Sequence, residues 1–266
     1  MRTTINNVAQ YLLNRSIRLI RKLDARIEVI MTGWIAIMLA TGMVKLVRAP
    51  VPPRDILALI CEFLPFALAA LAPVAGYRLA EASFRSGLLT GQPWLRPARI
   101  SRWQKLDLLT ARRHPAYGPA GFLASLTFGI LLNIPVRTME WLTALPVLDA
   151  RAPDWVYVLG MSMTGDLLLM NFLYAACFLM AMRSVPLFPR MLLLCWAMDI
   201  LAQFAIAHTM ARMPSLPPEV RTALTHLLEG NIDKVLISVL IWLPYLILSE
   251  RVNVTFRWRC APGHSD

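Results

Sequence analysis

The sequence predicts an all-α integral membrane protein with about six transmembrane helices and both termini in the cytosol. Hydrophobic residues make up 57% of the 266 residues and the mean hydropathy is +0.54, whereas charged residues make up only 16%. This charged fraction is well below that of soluble domains. The apolar residues also form runs long enough to cross a bilayer, which takes about 18 or more residues. Finally, most of the basic residues lie between these runs, in segments that six spans would place on one side of the membrane.

The N-terminal segment, residues 1–29, reads as a basic amphipathic helix. Leu12, Ser16, Leu19, Leu23 and Ile27 recur at spacings of three and four, which places them on one stripe of a helix. Arginine and lysine side chains form a second stripe beside the first. We expect either a helix lying on the membrane surface or a straight extension of the first span. Both arrangements keep the N-terminus in the cytosol.

The remaining chain divides into a two-span hairpin, a basic loop and a four-span domain. The second span is expected to be kinked by Pro65 and Pro73. The predicted segments are the hairpin over residues 30–80 with spans 30–47 and 55–80, a cytosolic loop over 81–117, a domain over 118–259 with spans 118–136, 155–182, 191–211 and 232–249, and a tail over 260–266.

The distribution of basic residues predicts the orientation. With six spans, 19 of the 27 lysines and arginines lie on the side of the two termini and 8 lie on the other side. Loops rich in lysine and arginine stay in the cytosol, so both termini are expected there. The formal net charge of +11 is then explained by contacts with anionic lipid headgroups. No nucleic-acid partner is expected, because no recognition motif accompanies the charge.

The strongest motif is the stretch IWLPYLILSERVNVTF at residues 241–256. It resembles the C-terminal signature of a bacterial inner-membrane family, the four-helix domain of unknown function 2569. The resemblance covers about residues 118–259 and implies a four-helix membrane fold in the inner membrane, without an assigned reaction. Glu250 and Asn253 depart from it, since basic residues are expected there. The matching residues are Trp242, Pro244, Tyr245, Ser249, Arg251, Val252, Thr255 and Phe256.

The same motif also has a physical interpretation that does not depend on the family. Pro244 lies inside a helix and removes a backbone hydrogen bond, so a bend is expected. Trp242 and Tyr245 suit the headgroup region, and Arg251 follows where lipid phosphates lie. The motif is therefore expected to anchor the last helix at the membrane interface.

Polar side chains inside the predicted spans are the candidates for a functional site, because ionisable groups at membrane depth are costly. Helix geometry places Asp166 near His208 and places Asp199 near Tyr174 and Gln203, with about 12 Å between the two layers. Interhelical hydrogen bonding, an ion or ligand path and catalysis all remain open for them. A salt bridge to Lys45 is expected for Glu62. The candidates are Glu62, Asp166, Tyr174, Asp199, Gln203 and His208.

The sequence contains none of the HExxH, GxSxG or Walker motifs. No catalytic residue, metal ligand or cofactor is therefore assigned, and an enzyme is the third choice. The leading hypothesis is a non-catalytic accessory, assembly or scaffold component that contacts lipids and other membrane-protein subunits. The alternative is a small transporter or ion-coupled permease that uses Asp166 and Asp199.

Overall fold

The computed structural model of the chain describes residues 2–49, 52–85, 103–145, 153–213 and 215–262. Residues 86–102 of the predicted basic loop and residues 263–266 of the predicted tail lie outside the described residues. Within the described ranges, six helices are long and apolar enough to cross a membrane. The predicted class, an all-α polytopic membrane protein, is confirmed.

The spans are α2, α3 and α5 to α8, and short elements connect them at one end of the bundle. Two short strands, β1 and β2, pair antiparallel, with Gln104 opposite Cys260. The helices are α1 (Arg2–Ala25), α2 (Ile27–Val47), α3 (Ile56–Arg85), α4 (Leu108–Arg113), α5 (Phe122–Ala144), α6 (Asp154–Met182), α7 (Phe188–Ala211), α8 (Pro218–Leu248) and α9 (Glu250–Val252), followed by a π-helical turn (Asn253–Arg257), and the strands are β1 (Gln104–Lys105) and β2 (Arg259–Cys260).

Two predicted span boundaries were wrong. The third span continues past residue 136 to Ala144, and the sixth begins at Pro218 instead of near residue 232. Arg137 lies inside α5 although the predicted span ends just before it, and Lys234 lies inside α8; both pair with acidic side chains. Removing Arg137 and Lys234 from the outer loops strengthens the charge bias between the two sides.

Helix α6 lies at the centre of the bundle, where it contacts α3, α5 and α7. Its closest approach to α3 is at Gly76, where an added Cβ would lie only 2.2 Å from the carbonyl oxygen of Phe172. Helix α2 packs on the outer side of α3, and α8 packs on α7. The hairpin formed by α2 and α3 is therefore packed directly on the four-span domain.

Helix α1 contacts the start of α5. The hydroxyl of Ser16 accepts a hydrogen bond of 2.9 Å from the backbone N–H of Gly121, and Ile20 is buried. Only Arg26, in a turn, separates α1 from α2. The N-terminal helix thus packs on the protein at the end of the bundle where α5 begins.

The residues after α8 fold back and close this same end. Val252, Val254, Thr255 and Phe256 are fully buried. The hydroxyl of Thr255 accepts a hydrogen bond of 3.0 Å from the N–H of Gly118. The C-terminal motif, residues 241–256, therefore supplies part of the protein core, in addition to Trp242 and Tyr245, which pack on Phe122. We call this end of the bundle the basal end; Ser16, Gly118 and Thr255 define it.

Replacing Thr255 by valine is expected to lower the free energy of unfolding by about 1–3 kcal/mol, because the N–H of Gly118 loses its acceptor. The measurement is reversible unfolding of the purified protein in mixed micelles. Thr225→Val is the matched control, since the exposed Thr225 bonds only within its own helix. Equal effects of the two substitutions would contradict a role for Thr255 in closing the basal end.

Candidate functional site

A charged cluster lies where α5, α6 and α7 meet. One terminal nitrogen of Arg137 donates to both carboxylate oxygens of Asp199 at 2.8 Å, and the other donates to Oδ2 of Asp166 at 2.7 Å. The side chain of Asp199 is 1% exposed, and those of Arg137 and Asp166 are each 12% exposed. We call these three residues the arginine–carboxylate cluster.

The cluster lies near the middle of the membrane-spanning region. At about 1.5 Å per residue, Asp199 lies roughly 16 Å from the start of α7 and Asp166 roughly 18 Å from the start of α6. These two helices run in opposite directions, and the hydrocarbon core is about 30 Å thick. The cluster is thus far from both water phases along the membrane normal.

Neighbouring hydrogen bonds hold the cluster and its helices in register. The hydroxyl of Tyr174 donates to Asp199 at 3.0 Å. One turn beyond Arg137, the indole N–H of Trp141 donates to the hydroxyl of Thr164 at 3.1 Å. The guanidinium is therefore oriented by contacts between α5 and α6 as well as by its own carboxylates.

A longer chain of polar contacts connects the cluster to α8. The amide of Gln203 donates to Asp166 at 3.4 Å and accepts from Asn231 at 3.2 Å. The ammonium of Lys234 donates to Asn231 at 3.3 Å and to Glu140 at 2.6 Å. Glu140 lies one turn from the arginine on α5, which closes the chain around four helices. We call this arrangement the polar ring: Arg137, Glu140, Asp166, Gln203, Asn231 and Lys234.

The charges of the ring and the cluster do not balance. Asp166, Asp199 and Glu140 carry three negative charges when ionised, and Arg137 and Lys234 carry two positive ones, which leaves a net charge of −1. The Oδ1 atom of Asp166 is buried and has no hydrogen-bond partner among the described residues. This oxygen is therefore the acceptor at which an additional proton or cation would restore neutrality.

Two cavities border the polar ring, and α5 and α8 contribute to both of them. The first, of about 280 Å³, reaches from the ring along α5 and α8 to Trp242. The second, of about 400 Å³, reaches the other way, to Ala144 and His226. Arginine, glutamate, asparagine and lysine of the ring line both cavities. The ring thus lies between one cavity that extends towards the basal end and one that extends towards the opposite end.

The structure brings together four of the six predicted polar residues, namely Asp166, Tyr174, Asp199 and Gln203. The predicted offset of about 12 Å between two polar layers was wrong, because Arg137 from a third helix contacts both aspartates. The predicted pairing of Asp166 with His208 is not formed, since His208 is exposed on α7.

Glu62 also lies outside the cluster. Its salt bridge with Lys45 stays a prediction. The ammonium of Lys45 donates to the carbonyl oxygens of Leu142 and Leu145, at the end of α5. Lys45 therefore satisfies backbone acceptors at a helix C-terminus, where four carbonyl groups have no partner within the helix.

Sequence reasoning missed Arg137, Glu140, Asn231 and Lys234. A signal for them was present, since two aspartates inside a membrane require a cation nearby and Arg137 follows the predicted end of its span directly. Within the part of the chain that the structure describes, no group of histidine, cysteine and acidic side chains suits a metal ion. Comparison of the chain with models of protein families, with curated proteins and with solved structures finds no match.

Proposed function

We propose that the protein is a small ion-coupled permease of the bacterial inner membrane. In this proposal the polar ring binds a small solute, and Asp166 takes up a proton or a monovalent cation. The observation that carries the proposal is the buried, unpartnered oxygen of Asp166 in a cluster of net charge −1, placed between two cavities. The inner membrane is supported by the resemblance of the C-terminal motif and by the charge bias between the two sides.

The energetics of the cluster favour binding of an ion. An uncompensated charge at membrane depth costs several kcal/mol, so a proton or cation on Asp166 lowers the free energy of the loaded state. Loading also weakens the hydrogen bonds that Asp166 accepts from Arg137 and Gln203, because a neutral carboxyl group accepts a weaker hydrogen bond than a carboxylate. Ion binding is thereby coupled to the contacts that hold α6, α5 and α7 together at this depth.

The cavities favour transport of a small molecule. The larger cavity, of about 400 Å³, lies within the range of about 300–1,000 Å³ that is common for small-molecule sites, and the smaller one, of about 280 Å³, lies just below that range. The Lys234–Glu140 ion pair joins α8 to α5 and lines both cavities. In the proposal, opening of this pair joins the two cavities, and the polar ring acts as the gate between the two membrane faces.

The other prediction from the sequence, an accessory, assembly or scaffold component, is favoured by a different surface. Leu236, Leu240 and Ile241 of α8 are exposed and apolar, and a helix of another subunit could cover them in the membrane. In that case the cluster serves only to hold the helices together. Measuring gradient-driven accumulation of solutes in proteoliposomes separates the two roles.

The decisive experiment uses purified protein in proteoliposomes under an inward proton or sodium gradient. A ¹³C-labelled bacterial metabolite extract is supplied outside, and mass spectrometry identifies the compounds that accumulate inside. We expect at least one small solute to accumulate with wild-type protein and to lose its gradient-driven accumulation with Asp166→Asn. Asp233→Asn, the same chemical change at an exposed residue of α8, is expected to leave accumulation unchanged. Absence of gradient-driven accumulation for wild-type protein would overturn the proposal.

A further inference from the structure

A separate cavity of about 450 Å³ lies at the basal end, away from the polar ring. Its walls come from the ends of α3 and α6, from α4 and from the residue before β2. We call it the basal pocket. Among the residues that line it are Arg112, Tyr117, Arg183, Ser184 and Trp258.

Hydrogen-bond donors dominate the polar lining of the basal pocket. Arg112 has no ion-pair or hydrogen-bond partner among the described residues, and Arg183 has a single ion pair, with Asp24 at 3.2 Å. The carboxylate in the lining, Glu81, is engaged by Arg78 at 3.0 Å. The carboxylate that lines the pocket is thus already paired with Arg78, and the charge of Arg112 is left without an ion-pair partner among the described residues.

The surroundings of the pocket carry the same excess of positive charge. Burial, together with the charges of Arg259 and Arg190, lowers the pKa of Arg257 to about 10. A nearby like charge lowers the pKa of a base. Because Arg257 directly precedes Trp258 in the wall of the pocket, an anion bound there would relieve this repulsion.

The backbone at Ser184 gives an independent indication. Ser184 follows the end of α6 with a φ of 53°, and the N–H of Val185 bonds to the carbonyl of Met180 at 2.9 Å. This is the helix-ending arrangement in which glycine is strongly preferred at the left-handed position. A serine in this place accepts backbone strain and adds a hydroxyl group to the lining of the pocket.

We propose that the basal pocket binds a phosphate group, held by Arg112 and Arg183 with the hydroxyl of Ser184. Arginine is suited to phosphate because its planar guanidinium group donates two parallel hydrogen bonds. Phe84 and Trp258, which also line the pocket, offer apolar surface beside the phosphate. The phosphate can belong to the headgroup of an anionic phospholipid or be free in solution. The proposal does not depend on the transport role of the polar ring.

The test measures phosphate binding and stability on the same variants of the full chain. One arm titrates delipidated protein in detergent with inorganic phosphate by calorimetry. The other arm uses native mass spectrometry to count phosphatidylglycerol molecules retained from nanodiscs. Binding in the first arm identifies a site for free phosphate, and retention in the second arm alone identifies a lipid headgroup site.

The variants are Arg112→Gln and Ser184→Gly, with Arg113→Gln as the matched control. Arg113 is an exposed neighbour on the same helix and does not line the pocket. We expect Arg112→Gln to weaken binding about tenfold or more, since a charge-assisted hydrogen bond is lost, and Arg113→Gln to leave binding unchanged.

Ser184→Gly distinguishes a ligand contact from a purely structural residue. It relieves the left-handed strain, so the unfolding temperature is expected to stay equal or to rise, while binding of phosphate or lipid falls several-fold. No binding in either arm, or equal binding by wild-type protein and both pocket variants, would overturn the proposal. A loss of stability in Ser184→Gly would also count against it.

Discussion

Replacing Gly76 by alanine is expected to prevent the protein from accumulating as a folded monomer in detergent. The new methyl group would lie 2.2 Å from the carbonyl oxygen of Phe172 and 2.9 Å from its carbonyl carbon, and both are backbone atoms. The helices α3 and α6 would therefore have to separate along their main contact. Overpacking that moves the backbone typically costs about 1–3 kcal/mol and occasionally more. The measurement is the yield of monodisperse protein and its unfolding temperature.

The matched controls are Gly129→Ala in α5 and Gly165→Ala in α6. Nothing lies within 4 Å of a Cβ added at either position. Both controls should keep or improve stability, because alanine is the better helix former by about 1 kcal/mol. If Gly76→Ala unfolds at the same temperature as the controls, the close contact between α3 and α6 is wrong.

Replacing Arg137 by methionine is the second substitution with a large expected effect. It removes the cation that compensates Asp166 and Asp199 and leaves two buried carboxylates side by side. Removing one partner of a buried ion pair costs about 3–5 kcal/mol. We expect poor insertion or rapid aggregation of the single variant, measured by yield in the membrane fraction and by unfolding in mixed micelles.

The triple variant Arg137→Met, Asp166→Asn, Asp199→Asn separates structure from function. It contains no buried charge in the cluster, and replacement of a whole buried ion cluster by neutral residues is often neutral for stability. We therefore expect the triple variant to fold again but to accumulate no solute in proteoliposomes. A triple variant that folds and transports as well as wild-type protein would show that the cluster is not the ion site.

The apolar runs were sufficient to predict the class and the number of spans, and the limits of α2, α3, α6 and α7 within a few residues. Hydropathy ended the third span too early, at Arg137, because it judges each residue by its transfer into lipid. An ionised side chain is tolerated at that depth when a carboxylate of another helix pairs with it, as Asp199 and Glu140 do here. Such pairing depends on tertiary packing and is not visible in a window of one helix.

The candidate site was predictable to the extent that it depends on helix periodicity. Asp199 and Gln203 are one turn apart on α7, so they share a face, while His208 points away. The register between helices was not predictable, since the side chain of Arg137 reaches both aspartates. The amphipathic character of Trp242 and Tyr245 was recognised, but the burial of Phe256 against Phe188 depends on a fold-back that sequence spacing does not encode.

The closed basal end has a consequence for how the protein is made. Spans of a membrane protein enter the bilayer one after another as the ribosome synthesises them. Gly118 nevertheless finds its hydrogen-bond partner only when Thr255 has been synthesised, 137 residues later in the chain. Assembly of this bundle therefore finishes after translation of its last span, and a nascent chain arrested before Phe256 exposes an unfinished core to chaperones and membrane proteases.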